Sequence, residues 1–228
     1  MLILCDKKMP PKAKEKLTSF GNLVELSTSG ITYEAISGHP DIFLCPTPKG
    51  LIAAPNLPME YFEILEENDI LYQTGDFPVE KAYPGSARYN ALALPTLLIH
   101  NTEITDRQIS IQYETNQIVQ VQQGYTRCNL IAVSQEKYVT CDHGIEKALQ
   151  IKEKQVLFVE TELVQLEGFS HGFFGGACGT YKSFWFICGS LKYMKQEVQI
   201  RNLASAVNLE IIELYDGPLV DVGTIMAV

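Results

Sequence analysis

Short apolar runs introduced by Asp or Asn recur along the chain. Asp41-Ile-Phe-Leu-Cys-Pro, Asn90-Ala-Leu-Ala-Leu-Pro, Asn129-Leu-Ile-Ala-Val-Ser and Asp221-Val-Gly-Thr-Ile-Met-Ala-Val each enter a stretch of strand length, here termed strand a. A few residues later comes a second run, strand b: Leu51-Ile-Ala-Ala-Pro, Leu97-Leu-Ile-His-Asn, Tyr138-Val-Thr-Cys-Asp and Phe184-Trp-Phe-Ile-Cys-Gly-Ser. Continuous β-rich runs of four or five residues read as buried strands rather than helices. Asn56, Asn101, Asp142 and Ser190 follow them and are residue types that cap helix N-termini. Helices are predicted over 58–68, 102–115, 143–154 and 191–207, with inward spacing such as Ile145 and Leu149, or Tyr61, Ile64 and Leu65. A third strand then follows each helix, starting at Ile70, Ile118, Val156 and Leu209, before a turn at Gly75, Gly124, Gly168 or Gly217.

The chain ends fit the same plan. Residues 221–228 supply strand a of a fifth copy, Leu2-Ile-Leu-Cys-Asp6 strand b, 10–19 the helix and 23–26 the last strand. The expected architecture is α/β, a five-bladed pseudo-fivefold α/β propeller of ββαβ modules, closed by pairing of the N- and C-terminal segments. Closure of this kind removes exposed sheet edges. The expectation is one domain over 1–228, with modules at 217–228 plus 1–30, 41–75, 87–124, 126–168 and 169–216.

This five-fold repeat resembles the pentein fold, shared by guanidino-group-modifying enzymes (arginine and agmatine deiminases, dimethylargininase, amidinotransferases) and by the ribosome anti-association factor. The likeness covers essentially the whole chain and rests on the repeat. Leu166-Glu167-Gly168 is similar to the Leu-(Glu/Asp)-Gly-Gly-Asp start of one family module, with Phe169 and Ser170 standing at its last two positions. The family nucleophile, a Cys in strand a of the last module, has Gly223 and Thr224 in its neighbourhood here. The resemblance implies a hydrolase or transferase acting on a small guanidino or amidino compound in a central polar pocket. The alternative is a non-catalytic ligand-binding or protein-interaction protein that has lost the family nucleophile.

Composition narrows the partners. The 228 residues carry a net charge of −9, and the lysines at 7, 8, 12, 14 and 16 are scattered, which gives nucleic acid no electrostatic footprint. The apolar N-terminal run is too short for a signal segment and no stretch has the length of a membrane span, so the expectation is a cytoplasmic protein with no membrane partner. Six cysteines without a CxxC pair point to reduced thiols. No metal site and no cofactor is predicted, and the oligomeric state is not readable.

In a ring of this kind the starts of the five a strands face one another. Asp41, Asn90, Asn129, Gly176 and Asp221 are therefore expected around a polar axis, with His39, Arg88 and Arg127 two residues earlier on the same face by strand periodicity. Acids beside bases suit a zwitterionic or cationic small molecule, with a carboxylate on the arginines and a cationic head on the aspartates. The competing explanation is that Asp and Asn only cap turns. Cys178 with His171 is the candidate nucleophile and general acid/base, since an imidazole beside a thiol favours the thiolate, and Asp41 and Asp221 would then orient a guanidinium. Cys5, Cys141 and Cys188 share the end of strand b and Cys45 lies in an apolar strand, so packing explains them. Cys128 precedes Asn129, and strand alternation turns it away from the face of Arg127 and Asn129. His100 and His143 stand at element ends and read as structural. The Gly175 to Ser183 run lacks the spacing of a phosphate loop, and Trp185 reads as core.

Overall fold

A computed structural model describes residues 1–228. Five three-stranded sheets are arranged as the repeat predicts, each with its middle strand antiparallel to one neighbour and parallel to the other. The N-terminal unit contributes β1 (Leu2–Asp6), α1 (Pro11–Leu17) and β2 (Asn22–Leu26). The next blade is α2 (Pro40–Phe43), β3 (Leu44–Thr47), β4 (Gly50–Ala53), α3 (Met59–Glu67) and β5 (Tyr72–Thr74). It is followed by β6 (Leu92–Leu94), β7 (Leu97–His100), α4 (Arg107–Ser110) and β8 (Ile118–Gln120). Then come α5 (Thr126–Asn129), β9 (Leu130–Ala132), β10 (Lys137–Thr140), α6 (His143–Ile151) and β11 (Gln155–Phe158). The last full blade has β12 (Cys178–Tyr181), β13 (Phe184–Ile187), α7 (Glu197–Ser205) and β14 (Glu210–Glu213), and β15 (Met226–Ala227) ends the chain.

Strand β15 pairs antiparallel with β1, placing Ile3 opposite Ala227 and Leu4 opposite Met226, so the two chain ends complete one blade. Leu2 and Val228 exchange both backbone hydrogen bonds at 2.9 and 3.0 Å. The helices hold the sheets through their inward faces, as with Ile145 and Leu149 of α6, both fully buried. Asp142 caps α6 by accepting from the Ile145 amide at 2.9 Å.

The predicted helix 102–115 shrinks to α4, because Asp106 is the cap, accepting from the Gln108 amide. Its other carboxylate oxygen accepts from the amides of Asp76 and Phe77 and ties the helix to the preceding blade. The predicted helix 191–207 splits into a short turn at Leu191–Tyr193 and α7.

One difference decides the site. Three of the residues expected to open the a strands, Asp41, Asn129 and Gly176, lie instead in helical turns just before them, at Pro40–Phe43, Thr126–Asn129 and Gly175–Ala177, while Asn90 follows the turn Gly85–Ala87. Alternation of two does not apply in such turns, and neighbouring residues point about 100° apart.

Candidate functional site

These turns and the segments around Asn90 and Gly223 are joined in a circle by backbone hydrogen bonds, one Asn90 side-chain bond and one close backbone approach. The Asp41 amide donates to Gly223 O at 3.2 Å, Asn90 Nδ2 donates to Asp41 O at 3.3 Å, and the Arg127 amide donates to Asn90 O at 2.9 Å. Gly175 lies flat on the Arg127 and Cys128 carbonyls, where an added Cβ would stand 2.6 and 2.7 Å from the two oxygens. The Val222 and Thr224 amides donate to Gly176 O at 3.1 and 2.9 Å and bring the circle back to Gly223. With the backbone satisfied in this way, the side chains on the axis are free to face one another.

At the centre stands Cys128. Its Sγ donates to Asp41 Oδ2 at 3.0 Å and accepts from Asn90 Nδ2 at 3.2 Å, while Asn90 Oδ1 accepts from the Cys128 amide at 3.1 Å. Thr224 Oγ1 donates to the same Asp41 oxygen at 2.8 Å. Asp41 Oδ1 is buried and has no hydrogen-bond partner. Beside it, His39 Nδ1 is also buried without a partner. The His39 ring lies between Asp6 (Nε2 to Oδ2, 3.6 Å) and Asp221 (Nδ1 to Oδ1, 4.0 Å). Asp221 accepts from the amides of Phe173 and Gly223 at 2.8 and 3.0 Å.

Burial governs the electrostatics. It pushes the carboxyl of Asp221 up to about 7 and that of Asp6 to about 6, and raises Asp41 against hydrogen bonds from Cys128 and Thr224. Burial holds His39 neutral, lowered to about 3, and keeps the Cys128 thiol protonated, helped by the charges of Asp41 and Asp221. Two glycines make the arrangement sterically feasible. Gly223 has φ +63° and a Cβ there would meet His39 Cβ at 2.0 Å; a Cβ on Gly176 would meet Asp221 Oδ1 at 2.0 Å.

Two features flank the cluster. Tyr33 and Tyr125, whose hydroxyls are 3.3 Å apart, lie near Cys128, and Ser86 Oγ is 2.6 Å from Tyr125 Oη. Phe169 packs its ring on Tyr33 with centroids 5.9 Å apart. A small pocket of about 160 Å³ runs between the innermost strands, walled by residues such as Leu92, Ala132 and Ile225, with Arg127 and Thr224 among its lining. Arg127 Nη1 donates to Leu130 O at 3.2 Å and Gly175 O at 3.5 Å.

The expected axial set divides. Asp41, Asn90, Asp221, Gly176 and His39 stand together, with Arg127 beside them. Asn129 turns to its own module, donating to Tyr125 O and accepting from Cys141 Sγ at 3.2 Å. Arg88 lies away from the cluster, paired with Glu80 at 2.8 Å and stacked over Phe77. Cys178 is fully buried in an apolar cluster with Trp185 and Phe174, its thiol raised to about 12 by burial. His171 is exposed, within hydrogen-bond distance of Thr161 Oγ1 and Gly172 O, and no hydrogen bond joins it to Cys178. Cys128, which alternation turned outward, is the thiol on the axis, because 126–129 is a helical turn and not strand. Asp6 and Thr224 also escaped the sequence reading as site residues. Asp6 ends β1 at the position that Asn101 and Asp142 hold in strand b, where the repeat reads as a helix cap, whereas Thr224 stands where the resemblance expects a nucleophile.

The chain belongs to the family of unknown function DUF6873, whose model matches residues 4–226. No curated protein matches the sequence. Among solved structures it is similar to SxtG, an amidinotransferase of the saxitoxin biosynthetic pathway from Microseira wollei, at 9% identity and a TM-score of 0.56, covering 92% of this chain and 87% of that one. It is similar to a cysteine-to-serine variant of DDAH from Pseudomonas aeruginosa complexed with citrulline, at 8% identity, a TM-score of 0.54 and coverage of 93% and 91%. Agmatine deiminase from C. jejuni superposes at 12% identity and a TM-score of 0.51 over 92% of this chain and 74% of that one. The fold of the chain is thus the pentein fold, five α/β modules about one axis.

Proposed function

We propose that this chain is a cysteine-dependent hydrolase or amidino-transferase of a small guanidino or amidino compound, with Cys128 as the nucleophile. The observation that carries the reading is the contact of Cys128 Sγ with Asp41 at 3.0 Å on the axis, next to an Asp41 oxygen that has no partner. The similar structures, an amidinotransferase, DDAH with citrulline and agmatine deiminase, support the substrate class.

A planar guanidinium offers N–H donors to Asp41 Oδ1 and to Asp221, the two acids nearest the thiol. Its charge also alters the state of Cys128. In the free protein, burial and neighbouring carboxylates hold the thiol protonated, and a bound cation offsets them and favours thiolate. Sγ then bonds to the guanidinium carbon while the thiol proton passes by way of Asp41 to the departing nitrogen. The carbon–nitrogen bond breaks and leaves an amidino-thioether on Cys128. Water or an acceptor amine attacks that carbon, its proton taken up by Asp221, whose carboxyl burial raises to about 7, and the Sγ–C bond breaks, the sulfur regaining that proton as the thiol.

The test is incubation with a panel of guanidino and amidino compounds, reading ammonia or amine release together with intact-protein mass. The expected result is product formation and a trapped adduct on Cys128, both abolished in Cys128→Ala and reduced in Asp41→Asn, with circular dichroism unchanged. Absence of product and of adduct across the panel overturns the proposal and leaves the axis as a ligand-binding site or closed core.

A further inference from the structure

Cys128, Asp41 and His39 come from two different blades, and their donor atoms, one thiol sulfur, one carboxylate oxygen and one imidazole nitrogen, all lie within 4.8 Å of one another. All three residues are buried. Two further facts single this cluster out. Asp41 Oδ1 and His39 Nδ1 are both unsatisfied, although buried polar atoms in native proteins nearly always find a partner. The third member, Cys128 Sγ, donates a hydrogen bond to Asp41 Oδ2, so loss of that proton to solvent leaves a thiolate lone pair facing a carboxylate oxygen.

We propose that His39, Asp41 and Cys128 bind a borderline-soft divalent cation of the zinc class. Nitrogen, oxygen and sulfur from imidazole, carboxylate and thiolate are the mixture that Zn²⁺ accepts, whereas Mg²⁺ and Ca²⁺ take oxygen alone. Tetrahedral ligands about Zn²⁺ stand roughly 3.3–3.8 Å apart, from bond lengths of about 2.0–2.3 Å. With the donor atoms all within 4.8 Å of one another, the side chains need to shift by no more than about 1.5 Å to hold the ion. Three protein donors leave a fourth position open, next to Asp221, and Thr224, which donates to Asp41, also lines the 160 Å³ pocket. Two positive charges also compensate a locality that holds Asp6, Asp41 and Asp221 against Arg127. Binding is a simple exchange: the ion gains a sulfur bond, Cys128 loses one proton to solvent, and nothing is oxidised or reduced.

The outer hydrogen bonds needed to hold such ligands are present. Asn90 Nδ2 donates to the sulfur, Thr224 donates to Asp41 Oδ2, and Asp6 faces the second nitrogen of His39. Because the ion occupies the sulfur lone pair that a nucleophile requires, a loaded chain is blocked for thiol chemistry. The inference needs no turnover, so it stands or falls separately from the guanidino reading.

The experiment uses the full chain after dialysis against a chelator. Co²⁺ is added while the visible and near-ultraviolet spectrum is followed, and Zn²⁺ affinity is read by competition with a chromophoric chelator. The expected result is one ion per chain with Kd below about 1 µM, and a thiolate-to-cobalt charge-transfer band. Cys128→Ser and Asp41→Asn remove the band, His39→Asn weakens binding by more than about 10-fold, and Cys178→Ser leaves it unchanged. If the axial variants fold poorly, X-ray absorption at the zinc edge on the wild-type chain decides, with one sulfur and at least one imidazole expected around the ion. No stoichiometric binding, a shell without sulfur, or a band that survives Cys128→Ser overturns the proposal.

Discussion

Acidification isolates one buried histidine whose role is measurable. His100 ends β7 and is fully buried, with Nδ1 2.7 Å from Thr105 Oγ1 and Nε2 2.7 Å from Gly124 O. A carbonyl can only accept, so Nε2 carries the hydrogen and Nδ1 is the acceptor in the neutral ring. Burial lowers its pKa from 6.5 to about 4, against the raising effect of the Gly124 carbonyl. The unfolded chain therefore takes up a proton near pH 6.5 while the folded chain resists until about pH 4, so stability present above 6.5 is lost as pH falls through that window. Each unit is worth about 1.4 kcal/mol, which gives about 2 kcal/mol at pH 5 and about 3 kcal/mol at pH 4. Other buried groups act in the same range, and Asp221 and Asp6 act in the opposite direction, so total stability does not isolate the effect. The difference between wild type and His100→Gln does. Urea unfolding of both chains at pH 7.5, 6 and 5, each with its own m-value, should show the wild type losing about 2 kcal/mol relative to the variant, a midpoint shift on the order of 1 M. A difference independent of pH would mean that His100 is protonated in the folded chain or free to reach water, and would refute the reasoning. The same bond holds Gly124 at the approach to the 126–129 turn, so the loss should appear first as slower-relaxing or broadened signals there in NMR.

Gly223→Ala introduces a Cβ 2.0 Å from His39 Cβ at a φ of +63°; strain and overlap together cost about 2–4 kcal/mol, lowering Tm by roughly 5–15 °C, and a calorimetric Tm within about 2 °C of wild type would contradict the close approach. Cys178→Ala removes a buried sulfur from an apolar cluster and should cost about 1 kcal/mol in denaturant unfolding while leaving adduct formation on Cys128 intact; loss of the adduct in this variant would return the nucleophile to Cys178.

The repeat was legible because its strongest carriers, strands a and b, are short apolar runs bounded by turn residues, and those patterns are local. Asp41, Asn90, Asp221 and His39 were legible for a related reason: they precede those runs. Cys128 was not, and register explains it. Leu44 faces Ala53, Leu130 faces Thr140 and Cys178 faces Ile187 at the end of each b strand. Counted back from these pairs, Asp41 is equivalent to Arg127 and Gly175, and Cys128 to Gly176. Matching Asp41 to Asn129 by residue type shifts one copy by two positions, and in a helical turn that rotates side chains by about 200°. The shortening of α4 had a legible cue in Asp106, a cap type equal to Asn101 and five residues further on. The placement of Asp106 against β5 and its following turn was not legible, since it depends on contacts between blades.

The glycines on the axis argue that the cluster is more than a way to close a ring. Cβ atoms added at Gly38 and Gly172 would stand 2.5 Å from Asp6 Oδ1 and Asp221 Cβ, as Gly223 and Gly176 are pressed on His39 and Asp221. Each glycine makes room for one polar side chain that burial penalises, and each gives up backbone restraint to do so. A core selected only for closure would fill the same space with alanine or valine against an apolar partner, gaining on both counts. Instead three carboxyls, an imidazole and a thiol meet where all the modules do, with two polar atoms unsatisfied. Groups kept at such a cost in a closed, preorganised site are those expected to act on something that enters it. Cys128 Sγ is the nucleophile of one proposal and the sulfur ligand of the other, so the two share that one atom and its substitution tests both.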